Sequence, residues 1–164
     1  MSDRVAISLW EPLALLRDDG LEDLIVAHHA EVGLHKEVMP LAVDWEQYHK
    51  LETLGMLKLA AARAGEALVG YASWLWLPHL HYAETIHASN DAVYMRPEWR
   101  GAGVRLMREC EQRLTADAVP KPVRILYHIK LDVEAARGTI GRVLERRGFK
   151  AFETCYDRIA IAQE

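Results

Sequence analysis

The stretch from Ala92 to Leu131 leaves the chain few ways to fold. The β-prone "AVYM" (92–95) runs into "RPEWRGAG", after which Val104, Met107, Cys110 and Leu114 recur at helical spacing to about Ala118. Pro120 and Pro122 forbid that helix to continue, and "VRILYHIKL" (123–131) reads as a strand. Strand, glycine turn, helix and strand in direct succession make a crossover. A crossover sets its two strands parallel, with a right-handed connection.

The remaining segments supply further strands and helices around that pair. "RVAISL" (4–9) reads as a short strand. Leu21, Leu24, Ile25, His28 and Val32 mark a helix punctuated by Gly20 and Gly33. "VDWEQYHKLETLG" (43–55) reads as a second helix, with Asp44 as cap, Gln47 completing a capping box and Gly55 as stop. "LKLAAARAGEALVGYASWLWL" (57–77) has the form of a hairpin turning at Ala64-Gly65-Glu66, and a strand follows from about Thr85 to Met95. After the crossover, Ala136, Ile140, Val143 and Leu144 line a last helix, with Arg146 and Arg147 in its final turn and Gly148 as its cap. "FKAFETCYDRIAIA" (149–162) is expected to close as a strand. The sum is an α/β fold with a mixed sheet in one domain, residues 1–164.

Composition excludes several classes. Hydrophobic residues make up 51% of the 164, which suits a buried core and not a disordered tail. No apolar run approaches the roughly 20 residues that span a bilayer. The N-terminus lacks the order of a signal peptide, and two cysteines, Cys110 and Cys155, make no disulfide framework. A cytoplasmic protein without membrane or nucleic-acid partners is expected. Residues 1–95 carry 6 Lys/Arg against 14 Asp/Glu, a net of −8, and residues 96–164 carry 14 against 10, a net of +4. Such a split suits an anionic ligand over the second half and a cationic one near the first.

The start of the helix after Gly101 and Gly103 is the natural anion site. A helix N-terminus offers unpaired N–H groups with partial positive charge, glycine lets a phosphate approach the backbone, and Arg96, Arg100, Arg105 and Arg108 stand close by in the sequence. The segment lacks the four-residue spacing and Lys-Ser/Thr of a Walker loop, and Leu106 stands where a dinucleotide fingerprint needs its third glycine.

"VYMRPEWRGAGVRLM" resembles the acetyl-coenzyme A signature of the GNAT N-acetyltransferase superfamily, Q/R-x-x-G-x-G/A after a strand ending hydrophobic-x-Pro. Arg100 and Gly103 match its first and fourth positions, whereas Arg105 occupies the sixth, which should be small. "LERRGFKAFETCY" resembles the closing segment of the same family, and within it the chain is similar to divergent members found in phage and prophage genomes. The resemblance implies a mixed, mostly antiparallel central sheet flanked by helices, with the parallel pair splayed between the strand ending at Met95 and that starting at Val123. It implies acetyl-CoA as acyl donor, its pantetheine arm paired with the backbone of Tyr94 and Met95. The pyrophosphate would lie on the N–H groups of Arg100, Gly101, Ala102, Gly103, Val104 and Arg105. Arg105 either turns outward to reach a phosphate or fills the passage.

The reaction implied is direct attack of a primary amine on the thioester, the amine belonging to a small molecule or a protein. Such transfer needs proximity and a proton path. Asp91 is the leading base, expected by strand alternation on the face of Val93 and Met95, with Glu84 and His87 behind it. Leu144 stands where the family usually has its tyrosine acid, so Tyr156, Tyr127, Tyr94 or water must give the thiolate its proton. That substitution keeps a catalytically silent coenzyme-binding or interaction module as the rival. His79, His81 and His87, or His28 and His29, lack the further ligands of a metal centre, and no metal is expected. A homodimer is compatible with all of this.

Overall fold

A computed structural model of the chain describes residues 5–129 and 134–153, with side chains in the last helix from Ile140 onward. The chain divides into two units, Met1–His128 and Ile129–Glu164. The first holds a five-stranded sheet in the order β1-β2-β3-β4-β5. Its strands are β1 (Ala6–Leu9), β2 (Leu57–Ala64), β3 (Ala67–His79), β4 (Tyr82–Met95) and β5 (Val123–Tyr127). The first four run antiparallel, and β4 and β5 are parallel, as the crossover demands.

Alternation along the strands divides the core into two layers. One face of the sheet packs Ala60, Ala62, Val69, Ala72, Trp74, Ala88 and Met95 against α4 (Gly103–Ala118), which contributes Leu106, Cys110 and Leu114. The other packs Leu57, Leu59, Ala61, Tyr71 and Tyr94 against α1 (Leu13–Asp18) and α2 (Leu21–Val32), with Trp45, Tyr48 and Leu51 of α3 (Trp45–Thr53) partly buried there. α1 has no counterpart in the sequence reading. Six residues are too few to show helical periodicity, and Pro12 sets its entry. Asp44 caps α3 as expected, accepting from the Gln47 N–H at 2.9 Å.

Two more boundaries moved. β3 passes through Pro78, and a second tight turn at Leu80 and His81 joins it to β4, with His79 opposite Tyr82. The histidine-rich "HLHY" is therefore the tip of a long hairpin, and β4 starts at Tyr82 rather than Thr85. On α4, Leu106 and Met107 point inward and Val104 is exposed. In the second unit, α5 (Glu134–Arg146) ends at the expected glycine: Gly148 has φ +88°, and the Phe149 N–H donates to the Leu144 carbonyl at 3.1 Å. Residues 149–153 are not a strand. The rest of the expected closing strand, with Cys155 and Tyr156, lies outside the described residues.

Candidate active site

The site grows out of a fork and a bulge in β4. The ladder with β5 runs from Ile86 opposite Val123 to Asn90 opposite Tyr127 and stops, while β4 continues to Met95. The β5-side edge of Asp91–Met95 thus has no strand partner among the described residues. On its other side β4 pairs with β3, but Ser73 stands opposite Ala92 and Trp74 opposite Asn90. Asp91 is the supernumerary residue of a β-bulge, a device that bends a strand and re-aims its side chains. The buried side-chain amide of Asn90 clips the bulge, donating to the carbonyls of Ser73 at 3.2 Å and Ala92 at 3.0 Å. Beyond the bulge, the Arg96 N–H donates to the Val69 carbonyl at 2.9 Å. Alternation then turns the polar backbone of Tyr94 toward β3 as well, and that of Val93 and Met95 toward the open edge. Of the two residues expected to pair with a pantetheine arm, Met95 turns its backbone to the open edge and Tyr94 does not; Val93 does.

The bulge also corrects the face of Asp91. Alternation without a bulge groups it with Val93 and Met95. Instead its Oδ2 accepts from Ser73 Oγ at 2.9 Å, on the side of the sheet where Tyr71 lies. Around it is a polar cluster that the sequence did not reveal, because its members come from α2, α3, β3 and β4. His28 Nδ1 lies 2.9 Å from Tyr71 Oη, and the His28 ring stacks on Tyr94 with centroids 5.1 Å apart. Burial pushes the Tyr48 phenol up to about 12, and the negative charge of Asp91 pushes the same way. Tyr71 rises further, again mainly through burial, with Tyr48, Asp91 and Tyr94 adding to it. Both phenols therefore stay protonated at neutral pH. Trp45 leans against Tyr48 at 5.5 Å and carries the Arg17 guanidinium 4.4 Å above its ring. At the last rungs of the ladder, Ser89 Oγ and His128 Nε2 are 2.9 Å apart.

The open edge leads to the start of α4. A Cβ on Gly103 would sit 3.4 Å from Met95 Cγ, so helix and strand end touch there. The glycine turn expected at this point is a 3-10 turn, Pro97–Ala102, running straight into α4. Gly103 has φ −60°, and a Cβ on Gly101 would meet nothing within 4 Å; neither position uses glycine's left-handed freedom. The turn engages one of the amides assigned to an anion, the Gly103 N–H, which donates to the Arg100 carbonyl; ahead of it the Trp99 N–H donates to that of Arg96 at 2.9 Å. The start of α4 at Gly103 still carries the partial positive charge of a helix N-terminus. Two of the four arginines expected nearby, Arg100 and Arg105, are held elsewhere. Arg100 pairs with Glu31. Arg105 donates to the Val5 carbonyl beside β1, at the opposite edge of the sheet, and lies 3.8 Å from Glu109. Arg105 therefore neither fills the fork nor faces it.

The other expected residues separate from this site. Glu84 is 87% exposed near the hairpin tip, 3.6 Å from Lys121 Nζ, and seven positions from Asp91, roughly 23 Å along the strand. His87 is buried beside His79, ring centroids 4.2 Å apart. Burial, then His79 and Arg124, lowers its basicity. His81 and Tyr82 complete that hairpin cluster, and among the described residues no group of three ligands is placed to hold a metal. Tyr127 Oη donates to Glu111 at 2.7 Å on the α4 face. A cavity of about 220 Å³ opens elsewhere, between Trp10, Pro12, Glu52 and Leu59; Glu52 there caps the Leu13 N–H at 2.6 Å. It holds none of the groups named above, and the fork, an open edge and not a hollow, is the better candidate. No helix among the described residues is long and apolar enough to cross a membrane.

No protein-family model matches the chain, and no curated protein matches it. Solved structures do. An aminoglycoside acetyltransferase from an uncultured soil metagenomic sample, in complex with sisomicin, superposes with a TM-score of 0.69 at 15% identity, covering 95% of this chain and 97% of that one. Ribosomal-protein-alanine N-acetyltransferase from Brucella melitensis biovar Abortus 2308 gives 0.62 at 17%, covering 97% and 100%. A protein described as a transcriptional regulator from Bacillus halodurans C-125 gives 0.66 at 20%, covering 96% and 100%. The chain has the fold of the GNAT acetyltransferases.

Proposed function

We propose that the chain is an N-acetyltransferase that moves the acetyl group of acetyl-CoA to a primary amine by direct attack, its two units forming one acyltransferase domain. The observation that carries the reading is one continuous strip: the bulge at Asp91, the unpaired edge of Val93 and Met95, and the start of α4 against Met95. An extended pantetheine arm adds to that edge as a strand would. The diphosphate then reaches the N–H groups of Val104 and Arg105, with Gly101, Ala102 and Gly103 presenting little side chain to it. The thioester comes to rest at the bulge, within reach of Asp91 as base. The acceptor enters from the side of Tyr48, Tyr71 and His28, where a carboxylate and phenols suit an ammonium group. Tyr156 stays a candidate for the proton donor.

Calorimetry with acetyl-CoA and thiol release across a panel of amines test this reading. Binding with 1:1 stoichiometry and amine-dependent thiol release are expected; no binding defeats it. A silent coenzyme-binding module is the second reading. It is favoured by the internal engagement of Arg100 and Arg105, and binding without thiol release from any amine would support it instead.

A further inference from the structure

Ser89 and His128 form a polar pair for which the reading above has no use. Their side chains meet at 2.9 Å where the parallel ladder ends. Ser89 is one residue before Asn90, the last β4 residue in the ladder, and His128 is one residue after Tyr127, its partner. Ser89 stands opposite Leu75, which packs with Tyr71 against the second core layer. It therefore shares a sheet face with Ser73 and with the Asp91 carboxylate bonded to it. His128 is exposed, so its ring is open to a ligand in the fork. The charged groups that alternation puts on the same face are Asp91 of β4 and Arg124 of β5.

Resting on the acetyl-transfer reading, we propose that His128 is a catalytic residue, taking a proton from the attacking nitrogen and returning it to the departing sulfur, with Ser89 positioning its ring. Imidazole is the side chain suited to both duties near neutral pH. The acceptor ammonium first loses one proton to water. The amine lone pair attacks the thioester carbon, forming the C–N bond and placing the carbonyl electron pair on oxygen. A nitrogen proton passes to the imidazole. The carbonyl then re-forms, the C–S bond breaks, and the thiolate takes the proton from the imidazolium. The products are the amide, the free thiol of CoA and one proton in solution, and His128 ends the turnover neutral. This supplies the acid that Leu144 cannot, while Asp91, as base, takes the first proton of the ammonium on its way to water.

The test uses His128→Ala and His128→Gln in the full chain. Thiol release is followed with acetyl-CoA and sisomicin, tyramine, spermidine or an alanine-terminated peptide. Both variants are expected to lower kcat by about 10²-fold, to bind acetyl-CoA within twofold of wild type by calorimetry, and to melt within 2 °C of it, roughly the shift of a minor surface change. Added free imidazole should restore the rate of His128→Ala and leave His128→Gln unchanged, which no merely structural role predicts. By NMR, CoA should move the ring signals of His128 and leave those of His35 in place. A variant rate within threefold of wild type or no imidazole rescue would overturn the role of His128 alone, whereas no thiol release from any of the four amines despite bound acetyl-CoA would overturn the acetyl-transfer reading with it. No binding of acetyl-CoA to the wild type would overturn the parent reading with it.

Discussion

At the residue scale, two positions carry expectations that a signature alone reverses. Arg105 stands where the acetyl-coenzyme A pattern wants a small residue, yet its guanidinium is spent on the Val5 carbonyl and Glu109. Arg105→Ala should leave the acetyl-CoA dissociation constant within twofold by calorimetry and lower stability by about 1 kcal/mol. A tenfold change in affinity would put the side chain back in the site. Gly70 is the less obvious glycine. A Cβ there would meet the Met95 sulfur and come within 2.8 Å of the Tyr94 carbonyl oxygen. Gly70→Ala is expected to cost about 1–3 kcal/mol in a denaturant melt, by overpacking. It should also weaken acetyl-CoA binding, because Met95 bounds the open edge. Nothing in the text "VGYAS" advertises this: the clash exists only once β3 and β4 are paired. The Gly101/Gly103 pair, conspicuous in the sequence, has normal helical backbone at Gly103 and open space at Gly101. The motif thus marks the start of α4, but the backbone there does not require glycine at either position.

At the scale of the element, β4 shapes the candidate site. The strand itself was legible from "HASNDAVYM", and so was its parallel partner, since the crossover permits little else. The bulge was not, because alternation supplies no marker for an extra residue, and every face assignment upstream of Asn90 is inverted by it. His28 and Tyr48 were hidden for a related reason: their helices were readable, but their meeting with Tyr71 and Asp91 depends on how those helices dock. The clip made by Asn90 gives a direct test. Asn90→Ala leaves one buried and one half-buried carbonyl without that donor and should cost about 1–3 kcal/mol. It should lower kcat more than it raises the KM for acetyl-CoA, since the bulge at the reacting end is disturbed while α4 is not. An unchanged kcat in a folded variant would show that the bulge holds without its clip.

For the whole molecule, an ionic cluster ties together β1, β2 and α1, away from the fork. Arg63 makes two parallel hydrogen bonds to Glu11, at 2.6 and 2.7 Å, and a further ion pair to Asp19. The Arg63 hydrogen bond, opposed by burial, holds the Glu11 carboxyl below the usual 4.5. A depressed carboxyl stabilises the fold above its unfolded value and loses that contribution as pH falls through the folded one. The melting temperature should therefore drop steeply below about pH 4.5. Arg63→Met should flatten that drop and cost about 3 kcal/mol at neutral pH by leaving Glu11 unpaired; equal acid sensitivity of both proteins would remove this account. The charge imbalance between the two halves of the chain was visible from composition, but the linkage of Arg63 to Glu11 and Asp19 was not, because 52 and 44 residues separate the partners. The supernumerary Asp91 carries a last consequence. Were it excised and not replaced, Asn90 and Ala92 would keep their present partners Trp74 and Ser73, and every core side chain would retain its layer. A 163-residue protein should then fold at least as firmly as its parent while losing the carboxylate that the proposed reaction requires, so thermal melting and thiol release by the deletion variant would separate the demands of the scaffold from those of the site.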